Sequence, residues 1–509
     1  MKLAVRNQLV TLGELRRAWL EPVEVSLGDD ARRRIAESRE LIEDVVAHGD
    51  QVYGVNTGFG QLASVRVGDS ELAHLQENLV RSHAVGVGED LDDNIVRLVM
   101  LMKVIALAEG FSGVRLELVE KLCDLINNNI YPRIPSRGSV GASGDLAPLA
   151  HMAGALIGIG EVRIDGTPVP AQVALQEAGI EPIRLGPKEG LALLNGTQVS
   201  TALALSAVFR TENVLSAALM AGAMSSDAIK GSDTPFDRRI QNVRGHGGQI
   251  AVAGVLREII QGSDIRASHI GCDRVQDPYS IRCQPQVTGA CLDVLRHVCG
   301  VLETEANAVT DNPLVFTDSG VVLSGGNFHA EPVALAADYL ALAIAEIGAL
   351  SERRIALLID SHLSGLPAFL VEESGLNSGF MMAQVTAAAL ASENKSHAHP
   401  ASVDSIPTSA NQEDHVSMAT FAARRLHSML DNVANIVAIE LLAAAQGIDF
   451  HRPQKSSPAI EEVIAVLREQ SPSYAEDRSL SADIERVAAK IDGGDYCTHA
   501  NSILPSLSK

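Results

Sequence analysis

Five long segments with a helical periodicity of apolar residues dominate this 509-residue chain after residue 196. Polar loops containing Gly, Asp and Pro separate them, and strand patterns are few and short. Helices of this length bury their apolar faces by packing against one another. The sequence therefore predicts a mainly α fold, with long helices in a central bundle, a smaller N-terminal domain and short hairpins. The five segments lie at 197–229, 286–309, 328–363, 377–396 and 410–447.

The N-terminal part of the chain has its own helical pattern, which continues from about residue 70 to 109. The break "EGFSG" (109–113) ends it. We therefore predict an N-terminal domain over 1–110 and a helical domain over 111–509. Between the long helices, "EVRIDGTPVP" (161–170) alternates around Asp-Gly, which predicts a small β-hairpin.

The most apolar run is "PVALAADYLALAIAEIGAL" (332–350), and it bears on membrane association. Asp338 and Glu346 interrupt it, which argues against a membrane span. A helix that is apolar on nearly all faces must still be covered by protein. We therefore expect this segment to pack against other helices, including those of other chains.

The charge and the cysteines limit the choice of partners and compartment. The formal net charge is −22, which argues against nucleic acid or an anionic membrane surface as a partner. The six cysteines are sparse and form no C-x-x-C pair, as in reduced cytosolic proteins. The first 22 residues contain no sustained apolar segment of the signal-peptide kind. A cytoplasmic protein is the resulting expectation.

The stretch "RGSVGASGDLAPLAHMAG" (137–154) begins with a loop of small residues, and a helical pattern follows from about Leu146. No Lys follows its glycines, so it does not match the usual phosphate-binding loop. Taken alone, it is explained by ordinary helix capping, with Ser143 or Asp145 as the N-cap. An anion-binding loop built from backbone N–H groups is a second local explanation.

Seven further motifs accompany this loop, and together the eight resemble one family. The chain is similar to the aromatic amino-acid ammonia-lyases, over nearly its whole length, and most closely to their histidine-specific branch. Each motif alone has little specificity, but eight in the same order leave chance implausible. In order they are "YGVNTGFG" (53–60), "RSHAVGVG" (81–88), "GSVGASGDLAPLAH" (138–151), "LLNGTQ" (193–198), "QDPYSIRCQPQV" (276–287), "TDNPLV" (310–315), "GGNFHAEP" (325–332) and "SANQEDHVSM" (409–418).

The resemblance assigns a prosthetic group to the small-residue loop. In this family an Ala-Ser-Gly tripeptide, matched here by Ala142, Ser143 and Gly144, cyclises without any external cofactor. It becomes a 4-methylideneimidazol-5-one ring (MIO), which is a strong electrophile. Small residues suit the sharp backbone turn that this cyclisation requires.

The resemblance also implies residues that bind and deprotonate the substrate. Tyr53 matches the candidate base for the β-proton, and Tyr279 the residue that positions the amine and the ring. Arg282 can bind a substrate carboxylate with two parallel hydrogen bonds. Asn195 can donate to the carboxylate or the ring, and Phe328 forms a wall of the pocket. Four of these residues also have a plain structural explanation: Tyr53 as a packed Tyr, Arg282 in a surface ion pair, Asn195 in an Asn-Gly turn and Phe328 as a core Phe.

Two residues bear on the choice of substrate, His83 and Glu413. The pairs Ser82–His83 and Gln412–Glu413 resemble the pattern of the histidine-specific branch. An imidazole substrate needs a hydrogen-bonding partner for each ring nitrogen, and a carboxylate accepts from one N–H. Phenylalanine would leave these polar groups buried and unpaired. The alternative is a purely structural role for His83, in which its ring nitrogens form hydrogen bonds within the fold.

The resemblance implies a homotetramer whose sites are shared between chains, acting on a small amino acid. The nearest alternatives are a phenylalanine or tyrosine ammonia-lyase, or an aminomutase of the same family; a non-catalytic helical scaffold is a further one. We expect no metal ligands, because "HAHP" (397–400) is a weak His-x-His pattern in a polar loop.

Overall fold

The computed structural model confirms that the chain is mainly α-helical. Contacts between residues divide it into two compact units. The first unit comprises 1–206, 299–338 and 400–424, and the second 207–298, 339–399 and 425–509. The boundary predicted after residue 110 falls inside the first unit. The described residues are 1–6, 8–48, 52, 54–57, 67–269 and 275–508.

Among the residues that the structure describes, the first unit contains eight complete helices and all of the strands. The helices are α1 (Leu12–Leu20), α2 (Asp29–His48), α3 (Leu72–His83), α4 (Asp93–Ala108), α5 (Leu116–Asn127), α6 (Leu146–Leu156), α7 (Ala171–Glu177) and α8 (Glu189–Leu194). The strands are β1 (Lys2–Val5), β2 (Glu24–Leu27), β3 (Val87–Asp90), β4 (Tyr131–Pro132), β5 (Pro135–Arg137), β6 (Glu161–Ile164), β7 (Thr167–Pro170), β8 (Leu314–Phe316) and β9 (Val321–Leu323).

Four long helices begin in one unit and end in the other. They are α9 (Gln198–Ala228), α14 (Gln284–Ala306), α15 (Glu331–Ile359) and α18 (Ala419–Asp449). The second unit holds the remaining helices, which are α10 (Arg238–Arg244), α11 (Gly247–Ile260), α12 (Asp264–Ala267), α13 (Tyr279–Arg282), α16 (Ser361–Ser364), α17 (Met381–His397), α19 (Pro458–Gln470) and α20 (Ser481–Gly493). All five predicted long segments are therefore helical over most of their length.

The predicted hairpin at 161–170 is confirmed. Strands β6 and β7 pair antiparallel, with Glu161 opposite Pro170 and Ile164 opposite Thr167. Asp165 and Gly166 have φ values of 48° and 75°, as a two-residue turn of this type requires.

The predicted helical pattern over 70–109 is wrong in its middle. Strand β3 (Val87–Asp90) separates α3 from α4 and pairs with β5. Gly88 has a φ of 94°, which lies far from helical values, so the helix cannot continue through this residue. The short parallel pair of β1 with β2 was likewise not predicted, because its partners are 22 residues apart and only four residues long.

Helix α18 also begins later than the sequence predicts. Residues 410 and 411 and Met418 have positive φ values, so the segment before Ala419 is a loop rather than a first helical turn. That loop carries Glu413 towards the small-residue loop described below.

Among the described residues, three helices are long and apolar enough to cross a membrane by length and composition: α9, α15 and α18. Their most apolar windows are 94%, 67% and 78% buried within the protein, respectively. The apolar surface of α9 is thus covered by protein, as expected for a core helix, whereas α15 keeps the largest uncovered share.

Candidate active site

The small-residue loop at 138–145 follows β5 and ends at the first turn of α6, in the first unit. Gly138, Gly141 and Gly144 all have positive φ values, which side-chain-bearing residues rarely adopt. At Gly144 the requirement is also steric. A Cβ there would lie 2.4–2.7 Å from backbone atoms of Gly196, with which Gly144 forms an isolated β-bridge. Only glycine allows the two loops to approach this closely.

Asp145 fastens this loop to its surroundings. Its fully buried carboxylate accepts hydrogen bonds from the hydroxyls of Ser139 (2.8 Å), Ser200 (2.9 Å) and Thr420 (2.7 Å), and from the Ser200 N–H (2.8 Å). Its own N–H donates to the Gly196 carbonyl at 2.8 Å. Asp145 stands at the N-cap of α6 yet makes no side-chain capping bond. Simple capping therefore does not account for this residue.

The Ser143 side chain faces Glu413, which lies in the loop that precedes α18. The Ser143 hydroxyl donates to Glu413 Oε1 at 2.5 Å, and the hydroxyls of Thr408 and Ser409 donate to Oε2 at 2.6 and 2.9 Å. Partial burial would raise the pKa of Glu413, but these three hydrogen bonds and the nearby His83 outweigh it. The pKa therefore lies below its ordinary value, and Glu413 is held as a carboxylate.

His83, the last residue of α3, belongs to the same surroundings. Its Nδ1 lies 2.9 Å from the Leu79 carbonyl oxygen and 3.0 Å from the Ser82 hydroxyl. Burial lowers its pKa, against the opposing effects of the Leu79 hydrogen bond and the charge of Glu413. A neutral imidazole beside a carboxylate is the result. The structure thus brings His83, Ser143 and Glu413 close to one another.

Asn195 ends α8 beside Gly196 and is buried. Its side-chain amide donates to the Asn312 carbonyl at 2.9 Å, which leaves one amide hydrogen without a partner among the described residues. Its backbone carbonyl accepts from Lys103 Nζ at 2.5 Å, and Lys103 also donates to the Ala192 carbonyl at 3.2 Å. Burial, as the largest effect, lowers the pKa of Lys103 to about 7. Lys103 thus holds the backbone that leads into the Asn195–Gly196 turn through these two hydrogen bonds.

The remaining predicted residues are distributed between the two units, and one of them lies outside the described part. Phe328 is half-buried in a turn of the first unit, and Gln412 is exposed beside Glu413. Tyr279 and Arg282 form the short helix α13 of the second unit, which confirms the predicted helical turn; Tyr279 is 74% exposed. Tyr53 lies outside the described residues.

Comparison with known proteins identifies the family. The sequence profile of aromatic amino acid lyases matches residues 10–469, which is most of the chain. The chain belongs to the aromatic amino acid lyase family. A curated histidine ammonia-lyase of Vibrio cholerae serotype O1 is 57% identical over 490 residues, covering 96% of each chain.

Solved structures of aromatic amino acid lyases share the fold. The crystal structure of histidine ammonia-lyase from Trypanosoma cruzi is 42% identical, with a TM-score of 0.91, and covers 100% of this chain and 96% of that one. Tyrosine aminomutase from Streptomyces globisporus is 37% identical, with a TM-score of 0.93 and 98% coverage of both chains. The scaffold is therefore common to lyases and aminomutases, and the choice of reaction rests on the site.

Several residues that build this lyase site were not predicted from the sequence. Thr408 and Ser409 hold the carboxylate of Glu413, and Lys103 holds the Asn195 turn. Thr and Ser beside a loop carboxylate are too common to stand out. Lys103 does carry a signal, since a lone Lys in the apolar pattern "VRLVMLMKVIALA" of α4 must find buried acceptors.

Proposed function

We propose that this chain eliminates ammonia from L-histidine and releases urocanate, the first step of histidine degradation. The observation that carries the proposal is the Ser143–Glu413 hydrogen bond with His83 in the same surroundings. It joins the tripeptide to polar groups suited to an imidazole. The 55–58% identity to curated histidine ammonia-lyases supports the same substrate.

The proposed prosthetic group is MIO, formed from Ala142, Ser143 and Gly144 without external cofactor. The Gly144 nitrogen attacks the Ala142 carbonyl carbon, and two waters leave, one with the carbonyl oxygen and one with the Ser143 hydroxyl. The residues fit this reaction, since the positive φ of Gly144 and the fixed Asp145 hold the tripeptide in a tight turn. The group supplies an electrophile for an elimination that ordinary side chains cannot assist.

The protein's own side chains would then bind and orient histidine. After the Ser143 hydroxyl has left, the hydroxyls of Thr408 and Ser409 still donate to Glu413 Oε2, and Oε1 accepts a hydrogen bond from one imidazole N–H. Neutral His83 offers a partner for the other ring nitrogen. Gln412 lies beside them. Phenylalanine would leave Glu413 without this partner, which is the physical basis of discrimination.

The remaining roles rest on the family pattern. Arg282 would bind the substrate carboxylate, Tyr279 would position the amine, and Tyr53 would remove the β-proton. Asn195 keeps one amide hydrogen for the substrate, and Phe328 would close the pocket. These assignments are proposals to be tested by single substitutions.

We further propose a cytoplasmic homotetramer with sites shared between chains. Exposed apolar side chains on α15 and α17 support the assembly, among them Tyr339, Leu342, Met382 and Val385. All five cysteines in the described part of the chain are free, as in a reducing compartment.

The alternative is a phenylalanine or tyrosine ammonia-lyase or an aminomutase. It is supported only by the similarity of this fold to that of tyrosine aminomutase. The deciding measurement is kcat/KM for histidine, phenylalanine and tyrosine, with the products identified. We expect urocanate from histidine and poor turnover of the other two. Comparable kcat/KM for histidine and phenylalanine, or a β-amino acid as the main product, would contradict the proposal.

The prosthetic group has an independent test. The intact mass of the chain should be lower than that of its translated sequence by two waters. Ser143→Ala should give the mass of an uncyclised chain and abolish turnover. A wild-type mass equal to the translated sequence would exclude the cyclised group.

A further inference from the structure

Three side chains beside the small-residue loop form a cluster that the proposed reaction does not use. They are His329, Glu331 and His415, all in the first unit, and their ligand-type atoms lie within 4.8 Å of one another. His329 and Glu331 flank Ala330 at the start of α15, whereas His415 lies 84 positions further along the chain. Neither sequence segment has a metal-binding spacing by itself.

Each of the two imidazole rings has a polar neighbour at one ring nitrogen, which leaves the other nitrogen for a metal ion. The Nε2–H of His329 donates to the His415 backbone carbonyl at 3.3 Å, which leaves the Nδ1 lone pair as a ligand. Nδ1 of His415 lies 3.5 Å from the Ser405 hydroxyl, so Nε2 remains for the same purpose. Metal-ligating histidines typically use their second nitrogen in this way, which fixes the ring and its tautomer.

The environment of the Glu331 carboxylate also indicates that a cation binds here. Its Oε2 is buried and has no hydrogen-bond partner among the described residues. A buried carboxylate oxygen without a partner is costly, and a bound cation would remove that cost. Two imidazoles and one carboxylate are the ligands of many zinc sites that keep a fourth position open.

We propose that His329, Glu331 and His415 bind one divalent transition-metal ion of the zinc class. The ion would join the loop at 325–331, which carries Phe328, to the loop at 405–418, which carries Glu413. Both loops already contact the small-residue loop, through Ala330 N–H to the Gly141 carbonyl (3.2 Å) and Met418 N–H to the Val140 carbonyl (2.8 Å). The ion is thus a positioning element and is separate from the electrophile.

The test measures metal binding directly and does not depend on turnover. Full-length protein without an affinity tag is freed of metal by chelator dialysis and titrated with Zn²⁺ by calorimetry, in the absence of histidine, which itself binds zinc. Metal content per chain is measured after gel filtration. Co²⁺ serves as a second probe, because four-coordinate Co²⁺ gives a strong visible absorption.

Matched variants separate this site from adventitious surface binding. Glu331→Gln keeps the shape of the side chain, and His415→Ala changes an exposed residue, so both should fold. The control is His397→Ala, which alters a partly exposed histidine 3.3 Å from Glu393 in the second unit. Circular dichroism and thermal unfolding of the metal-free proteins verify that the variants are folded.

We expect one Zn²⁺ per chain for the wild type and for His397→Ala. Glu331→Gln and His415→Ala should lose at least the roughly tenfold affinity that follows removal of even an outer-shell partner. Zn²⁺ should also raise the Tm of the wild type and leave that of His415→Ala unchanged. Absence of stoichiometric Zn²⁺ from the wild type, or equal affinity in the folded Glu331→Gln and His415→Ala variants, would overturn the proposal.

Discussion

Single residues determine how closely the two loops of the site approach, and Gly144 is the most constrained of them. Gly144→Ala should prevent the approach to Gly196, because the new Cβ would meet backbone atoms that cannot rotate away. Gly166→Ala is the matched control, since Gly166 also has a positive φ but a Cβ there would meet nothing within 4 Å. The free energy of unfolding of the control should fall by only roughly 1–2 kcal/mol, which is the cost of a left-handed backbone conformation for alanine.

Thermal unfolding and turnover check the Gly144 prediction. Gly144→Ala should have a lower Tm than Gly166→Ala and no activity, whereas Gly166→Ala should keep its activity. Equal Tm values with activity retained in both variants would show that the Gly144–Gly196 contact is not required.

Lys103 predicts a pH dependence of stability. Its pKa is about 7 in the folded protein and 10.5 when unperturbed. Between these values the unfolded chain holds a proton that the folded chain has released, so Lys103 makes stability rise with pH. Lys103→Met abolishes this contribution. The Tm of the wild type relative to Lys103→Met should therefore increase from about pH 7 to about pH 9.

The control for Lys103 is Lys2→Met, because the Lys2 side chain is 83% exposed. Its Tm should follow that of the wild type across the same pH range. Parallel pH profiles for the wild type and Lys103→Met would mean that Lys103 does not titrate differently in the folded state.

At the scale of elements, the sequence predicted the long helices well and the loops between them less well. Periodicity is a property of the segment itself, so α9 and α14 are found within a few residues of their predicted bounds. Strand β3 depends on β5, about 45 residues away, and no local pattern reports that pairing.

The site shows the same division between local and distant information. Motifs matched to a family predicted Ser143 and Glu413, but their hydrogen bond joins residues 270 positions apart. The cluster of His329 with His415 could not be found from spacing, because neither segment contains two ligands at a metal-binding interval. The sequence shows the histidines themselves, but it does not show that they lie close together in the fold.

A buried ion pair joins three long helices within the second unit. Glu440 of α18 accepts from Arg354 of α15 at 2.5 and 2.8 Å, and from the hydroxyls of Ser351 (2.6 Å) and Ser225 of α9 (2.7 Å). Both charged side chains are at most 2% exposed. Removing one partner leaves the other charge buried and uncompensated, which costs about 3–5 kcal/mol.

Glu440→Leu should therefore destabilise the protein more than the double variant Arg354→Met with Glu440→Leu. The double variant removes both charges and replaces them with apolar groups, which often costs little. Denaturant unfolding of the wild type, both single variants and the double variant measures the coupling. Additive losses would contradict a direct interaction.

The uncovered apolar surface, and the assignment of proposed site residues to both units, bear on how the chains assemble. Leu335, Tyr339 and Leu342 of α15 are 57%, 45% and 51% exposed and follow one another at helical spacing, so they form a contiguous apolar stripe that is typical of a protein–protein contact. Closed symmetric homo-oligomers cover such faces. A tetramer with shared sites would draw Ser143 and Arg282 of one site from different chains, and this can be tested by complementation.

Ser143→Ala and Arg282→Ala are each expected to be inactive. If they are unfolded together and refolded as a mixture, some mixed tetramers will contain sites in which both residues are intact, because each chain supplies what the other lacks. Activity should therefore reappear in the mixture and stay absent when either variant is refolded alone. Different affinity tags on the two chains allow mixed tetramers to be isolated and assayed. Mixed tetramers that form and remain inactive would place Ser143 and Arg282 of each site in one chain.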